Sequence, residues 1–312
     1  MPSLNIAVLG EDALQRANAA QAFGKKSSPE DITFFHSVFA GKIINAVEAT
    51  AYPSKLSSLT QSAALCDYAL VLADKPSASL GETIVALDFL RVPAVFVSLL
   101  DLAPLLNGTS LQNSKIFPEF NQAREYLLSL QSVSAPGPTT IILDHCFEVK
   151  GVGTVALGVV KRGELNVHDK LNALPLGKPV EIKSIQKNDD DVHQAEPTDR
   201  VGLALKGTKA EEMPRGTLLY AGMATPTTQV DCELSVSKFS KTPVKDGNAL
   251  HFSCGLQFEP CKIKCAGEIK PGQKAAATII LEKPAAVLSG EPLLLCDLNA
   301  KGLRIIGGAT TR

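Results

Sequence analysis

The sequence has no tryptophan, only four tyrosines and a total aromatic content of 5%. A platform that stacks single-stranded nucleic acid wants exposed Phe, Tyr or Trp, so the composition argues against that class. Charge of one sign is also missing. The formal net charge is −1, and no global basic field draws in a polyanion; RNA contact would need a local patch. Apolar runs of the roughly 20 residues needed for a membrane span are absent. The opening MPSLNIAVLGEDALQ reads as a strand and a turn, without the basic flank and small-residue cleavage site of a signal peptide. Seven cysteines make no disulfide framework in a chain of this size, and their odd number leaves one over. A cytoplasmic, membrane-free protein is the expectation.

What is present suits two or three domains: 312 residues, 45% of them hydrophobic. The first part alternates short apolar runs with helical patterns. Residues 4–9 form a buried-type run ending at Gly10, and the Ala-rich stretch 13–23 has helical spacing. Strand signals follow at 43–47, 68–73 and 93–99, with helical ones at 55–65, 81–90 and 119–130. Strands alternating with helices predict a mostly parallel sheet wrapped by helices.

The run 132–138, Ser-Val-Ser-Ala-Pro-Gly-Pro, reads as a linker. Beyond it, short Val, Ile, Leu and Thr runs are punctuated by turn residues at the spacing of all-β barrels. Asp246-Gly247 and Pro271-Gly272 are turn signals. A second seam at 221–228 (AGMATPTT) divides the β region in two. The expected domains are 1–134, 136–223 and 224–312. Residues 1–134 hold 9 Lys and Arg against 12 Asp and Glu, and the remainder holds 22 against 20. The β half is the less repulsive surface for a phosphate backbone, by a small margin.

The most specific signal is Leu143-Asp-His-Cys-Phe-Glu-Val-Lys-Gly-Val-Gly-Thr-Val-Ala-Leu-Gly-Val-Val-Lys-Arg-Gly163. Gly151 and Gly153 allow the positive φ of a tight hairpin, Thr154 and Val155 resume the strand, and Gly158 suits a close backbone approach. Further on stand Ser184-Ile-Gln186, Arg200-Val-Gly-Leu-Ala-Leu-Lys-Gly207 and Arg215-Gly216. Together these resemble the second domain of elongation factor Tu and its relatives over about 139–220, most of all the SelB-like, selenocysteine-specific branch found in archaea. Residues 228–312 resemble the third domain of those factors in position and β pattern. The resemblance implies a fold of a P-loop GTPase-like α/β domain followed by two β-barrels.

The chemistry of such a GTPase domain has eroded. A phosphate loop needs Gly-x-x-x-x-Gly-Lys-Ser/Thr, whose amides cradle phosphates while Lys neutralises them and the hydroxyl holds Mg²⁺. Here the run is Gly10-Glu11-Asp12-Ala13-Leu14-Gln15-Arg16-Ala17. Gly10 stands, but Arg16 replaces the Lys and Ala17 the hydroxyl. A carboxylate placed beside phosphate in a partly desolvated site costs on the order of several kcal/mol. The family's Asp-x-x-Gly-His falls on Glu48-Ala-Thr-Ala-Tyr52, and its Asn-Lys-x-Asp on Ser98-Leu-Leu-Asp101. The span from Arg16 to Glu48 is too short for an ordinary first switch loop. Gly10, Arg16, Glu48 and Asp101 are therefore read as remnants of a nucleotide site, in a pseudo-GTPase with no catalytic activity and no cofactor.

The resemblance also implies a pocket for an aminoacyl group at Asp144, His145 and Arg200. A carboxylate there accepts from an α-amino group, and His and Arg donate to acyl or phosphate oxygens. An equal alternative is a salt bridge between Asp144 and Arg200 that joins two strands, with His145 at its edge. Lys161, Arg162, Lys206, Lys209 and Arg215 are candidates for tRNA backbone contact, or simply a solvated barrel rim. Cys261 and Cys265, with His251 and Cys254 nearby, form no known zinc pattern and read as barrel cysteines. Without the winged-helix extension of selenocysteine factors, delivery of selenocysteine at a recoded codon is not expected. Three functions remain open: a tRNA- or aminoacyl-tRNA-binding translation factor without GTP turnover; a protein-interaction module, ribosome-associated, that uses the old nucleotide face; or a nucleotide-binding protein using unusual contacts.

Overall fold

The computed structural model describes residues 1–27, 29–132 and 135–311. Its first sheet is built around β1 (Ser3–Gly10), every residue of which is buried. Leu4, Ile6 and Val8 face one side of the sheet, packing with Ala19, Phe23 and Leu127 of flanking segments. Ala7 and Leu9 face the other, packing with Leu59, Ala63, Ile84 and Leu87. Period-2 alternation with both faces apolar is the pattern of a strand covered on both sides by helices.

The remaining elements of this region are α1 (Ala13–Gln21), β2 (Lys25–Lys26), β3 (Thr33–Phe39), β4 (Lys42–Glu48), α2 (Leu56–Leu65), β5 (Tyr68–Leu72), α3 (Ala78–Leu90), β6 (Ala94–Val97), α4 (Ala103–Leu106), β7 (Lys115–Phe117) and α5 (Phe120–Ser129). The sheet order is β2-β3-β4-β1-β5-β6-β7. β4, β1, β5, β6 and β7 run parallel, and β3 returns antiparallel on β4. The helical patterns of the sequence land on α1, α2, α3 and α5. The β2 and β3 strands and the short β7 and α4 carry no sequence signal strong enough to have been expected. β3 mixes Phe, His and Ser and is buried only over its first three residues.

A six-strand ring follows, in the order Lys170–Leu174, Leu218–Tyr220, Thr140–Val149, Gly153–Arg162, Arg200–Lys206, Lys178–Lys187. Pairing of the last strand with the first closes it. Its opening hairpin behaves as its glycines dictate. Gly151 and Gly153 have φ of +83° and +99°. A Cβ on Gly158 would lie 2.5 Å from the Ile142 carbonyl oxygen. The second barrel is closed by Thr227–Val236, Lys274–Ala285, Gln257–Cys265, Ala249–Cys254, Pro292–Cys296 and Ile305–Thr310. Cys261 lies in its core with Val230, Phe252 and Ile279, and burial pushes its thiol up to about 12. The expected linker at 132–138 includes Val133 and Ser134, which lie outside the described residues.

The barrels pack on the α2–α3 side of the sheet. Ile142, Val159 and Leu218 of the first barrel, and Leu256, Leu294 and Ile305 of the second, share one core with those helices. Consequently α2 is buried at nine of its ten positions, including Ser57, Ser58, Thr60, Gln61 and Ser62. Polar atoms in such a place need partners. Gln61 Nε2 donates to the Leu256 carbonyl at 2.7 Å, and Ser253 Oγ donates to Thr60 Oγ1 at 3.0 Å. The helix sits between sheet and barrels.

Candidate functional site

Two places carry the residues singled out by the sequence. The first is the carboxyl end of β1. Only Glu11 and Asp12 separate this strand from α1, so no extended loop of amides can wrap a phosphate chain. Asp12 caps the helix, its carboxylate accepting from the Gln15 amide at 2.8 Å. A negative side chain thus occupies the helix end that an anion would use.

Arg16 fills the interior behind that turn and is fully buried. Its Nη1 donates to the carbonyls of Gly10 at 2.6 Å and Glu11 at 2.9 Å, while Nη2 donates to those of Thr50 at 3.3 Å and Tyr52 at 2.6 Å. Four carbonyls around a guanidinium make a plug, where a nucleotide would need amides around oxygen. Burial lowers the Arg16 pKa, and buried Glu48 opposes that shift. Burial likewise raises the Glu48 carboxyl, with Arg16 opposing. Asp101 accepts from the Ala103 amide at 3.0 Å at the start of α4 and is exposed. A cavity of about 350 Å³ remains beside the turn, lined by Glu11, Asp12, Asp74, Lys75, Ser77 and Thr83 among others. Its one lysine is paired to Glu11 at 3.4 Å.

The second place is the seam between the first sheet region and the first barrel. Asp144 is buried, and its carboxylate is ion-paired with Arg200, whose Nη2 donates to Oδ1 at 3.0 Å. The same oxygen meets His145 Nδ1 at 2.5 Å. Burial opposes ionisation of Asp144, but Arg200 and His145 outweigh it and hold the carboxyl at about 2. His145 is raised, first by its hydrogen bond to Asp144 and then by Glu30, against the effect of burial.

The structure therefore brings Asp144, His145 and Arg200 together, and it adds partners that the sequence did not suggest. His145 Nε2 lies 2.9 Å from a Glu30 oxygen. Arg215 pairs with both Glu30 and Asp31 at 2.7 Å. The Phe34 ring lies 3.6 Å under the Arg200 guanidinium. Asp31 also takes Lys55 at 2.7 Å; burial opposes this carboxylate, but Lys55 and Arg215 hold it at about 2. Glu30, Asp31 and Phe34 lie far from the barrel in sequence, in a stretch with no motif, and nothing in their spacing announces the contact.

The rim cations expected to face a phosphate backbone are mostly engaged. Lys161 donates to the Ala64 carbonyl at the end of α2, at 2.9 Å. Arg162 pairs with Glu291 at 2.8 Å, and Arg215 is spent at the seam. Lys206 and Lys209 remain exposed, with Glu181 at 3.4 Å and Glu211 at 3.9 Å.

Comparison with known proteins gives this geometry a lineage. The family model for elongation factor Tu domain 2 matches residues 153–220. The uncharacterized protein MJ0325 of Methanocaldococcus jannaschii is 33% identical over 91% of this chain and 92% of its own length. The selenocysteine-specific elongation factor of the same organism is 28% identical over 85% of this chain, which spans 66% of that factor's length. The chain belongs to the SelB-like branch of the elongation factor Tu family. The crystal structure of translation elongation factor SelB from Methanococcus maripaludis, in complex with the GTP analogue GppNHp, superposes over the full chain. It does so with a TM-score of 0.85 at 21% identity, covering 79% of that structure. A SelB-like architecture of nucleotide-fold region and two barrels is thus shared.

Proposed function

We propose that this SelB-like chain is a translation-associated, cytoplasmic protein that binds tRNA or aminoacyl-tRNA through its barrels without turning over GTP. Its parts would be a degenerate nucleotide-fold domain at 1–134 and barrel domains at 136–223 and 224–312. One observation carries the loss of GTP chemistry: the Arg16 guanidinium is buried among four carbonyls behind a two-residue turn. Supporting the RNA reading, Lys262 and Lys264 are exposed on one strand of the second barrel and Lys274 on its neighbour. Among the described residues these three make no ion pair. Lysines left free in this way suit a phosphate backbone better than the paired cations of the first barrel. Asp144, His145 and Arg200 are the side chains this reading assigns to the acyl end.

A calorimetric titration with GTP and GDP in the presence of Mg²⁺ tests the first half, and no micromolar binding is expected. A filter-binding assay with total charged and uncharged tRNA tests the second. Retention should fall at least tenfold in Arg200→Ala, and a wild type that retains neither form of tRNA defeats the RNA reading.

A protein-docking alternative has its own observation. At the same sheet end, Leu14 and Leu99 are 71% and 88% exposed. Single apolar residues at a surface are common. A partner that binds there would survive Arg200→Ala and be lost in a Leu14→Glu, Leu99→Glu double variant.

A further inference from the structure

Glu30 belongs to the segment before β3, yet its carboxylate is received by the first barrel. His145 Nε2 meets one oxygen at 2.9 Å, and Arg215 Nη2 donates to the other at 2.7 Å. Two cationic donors, one for each oxygen of a single carboxylate, are the arrangement by which proteins recognise oxyanions. Both donors are held from behind. His145 is aimed by Asp144, whose side chain is fully buried and neutralised by Arg200. Arg215 is aimed by Asp31 at 2.7 Å and by the Asp144 carbonyl, to which its Nε donates at 3.3 Å. The occupant is the most exposed member of the group. The Glu30 side chain is 42% exposed, against 26% for His145 and 22% for Arg215. A receptor fixed by buried partners and filled by an exposed residue of another region is poised for exchange.

We propose that His145 and Arg215 form an oxyanion receptor on the first barrel, for a carboxylate or phosphate group, and that Glu30 fills it in cis. The first domain thereby occludes the site until a competing anion displaces Glu30. Arg200 is paired with Asp144 and lies against the Phe34 ring, and Lys55 is paired with Asp31, so the groups that meet Glu30 are His145 and Arg215. The inference rests on the proposed function only for the natural ligand, an acidic group of an RNA or of its acyl end.

The test uses the full chain and follows the His145 ring protons by NMR during titration with inorganic phosphate and, separately, acetate. Glu30→Gln keeps the size of the side chain and removes its charge, so the side chain holds the receptor more weakly and an added anion displaces it more readily. It is expected to bind at least one of the two probes tenfold or more tightly than wild type. Adding Arg215→Ala should return that affinity to the wild-type level or below. A gain with phosphate alone marks a phosphate receptor, and with acetate alone a carboxylate receptor. Equal affinities of wild type and Glu30→Gln for both probes overturn the proposal, and this comparison decides even if the Arg215 variant does not fold. Filter binding of aminoacyl-tRNA to Glu30→Gln separates the two readings. A gain for the small anion without tRNA retention keeps the receptor and removes the RNA function.

Discussion

At the scale of single residues, the informative positions are those whose chemistry has been inverted. Arg16 is a buried cation that spends its charge on carbonyls of its own chain. Asp144 and His145 titrate in opposite directions, which makes the seam sensitive to pH from both sides. The depressed Asp144 contributes stability that is present above its ordinary value of 3.8 and lost as pH falls toward about 2. The raised His145 contributes stability that is present below its ordinary value of 6.5 and lost as pH rises through its folded value. Urea midpoints measured at steps from pH 5 to pH 9 should therefore decline above 6.5. His145→Gln should remove that decline, and a wild-type midpoint that stays level across the range would count against the charge assigned to this imidazole.

Secondary-structure elements follow local rules closely wherever the pattern is regular. β1 alternates between two apolar faces, and the first barrel's opening hairpin places glycine where φ is positive or where two backbones meet. Gly158 is the sharper case, because a Cβ there would meet backbone, which cannot swing aside as a flexible side chain can. Gly158→Ala is expected to cost about 1–3 kcal/mol, as overpacking does, and to lower the urea midpoint without changing the slope. No loss of stability would mean that the two strands separate more easily than their pairing implies. Elements with weak patterns were less legible. β3 is half polar, and α2 carries Ser57, Ser58, Thr60, Gln61 and Ser62 at buried positions. Its composition suggests an exposed face, and only barrels packed against it explain the burial.

On the scale of the whole molecule, the first sheet region is tied to each barrel by a separate set of charges. The first barrel is held through Glu30, Asp31, Arg215 and His145. The second is held through Arg304, whose Nε donates to buried Glu82 at 2.7 Å. Glu82 also accepts from the Tyr52 hydroxyl at 2.9 Å, and the Tyr52 carbonyl accepts from Arg16. A continuous run of contacts thus joins the plugged turn to the far barrel. Arg304→Ala leaves Glu82 buried without its counter-charge, an arrangement that costs about 3–5 kcal/mol. The variant should show a larger radius of gyration in solution scattering. Wild type, by contrast, should scatter identically with and without GTP and Mg²⁺. A compaction of wild type on adding nucleotide would show that the contacts are not permanent.

The sequence by itself determined the class of each region, the hairpin glycines and the absence of a Gly-Lys-Ser/Thr run after Gly10. These rest on local periodicity, on backbone sterics or on motifs whose parts have set spacing, so each can be read without knowing what lies across the core. Only the tertiary structure decided that Arg16 turns inward, that α2 is buried on every side, and that Glu30 and Phe34 cover the seam. Those outcomes depend on which charges and surfaces meet over separations such as the 185 residues between Glu30 and Arg215. A side chain's partner at that distance is chosen by how sheet and barrels pack, and a linear pattern carries no record of that choice.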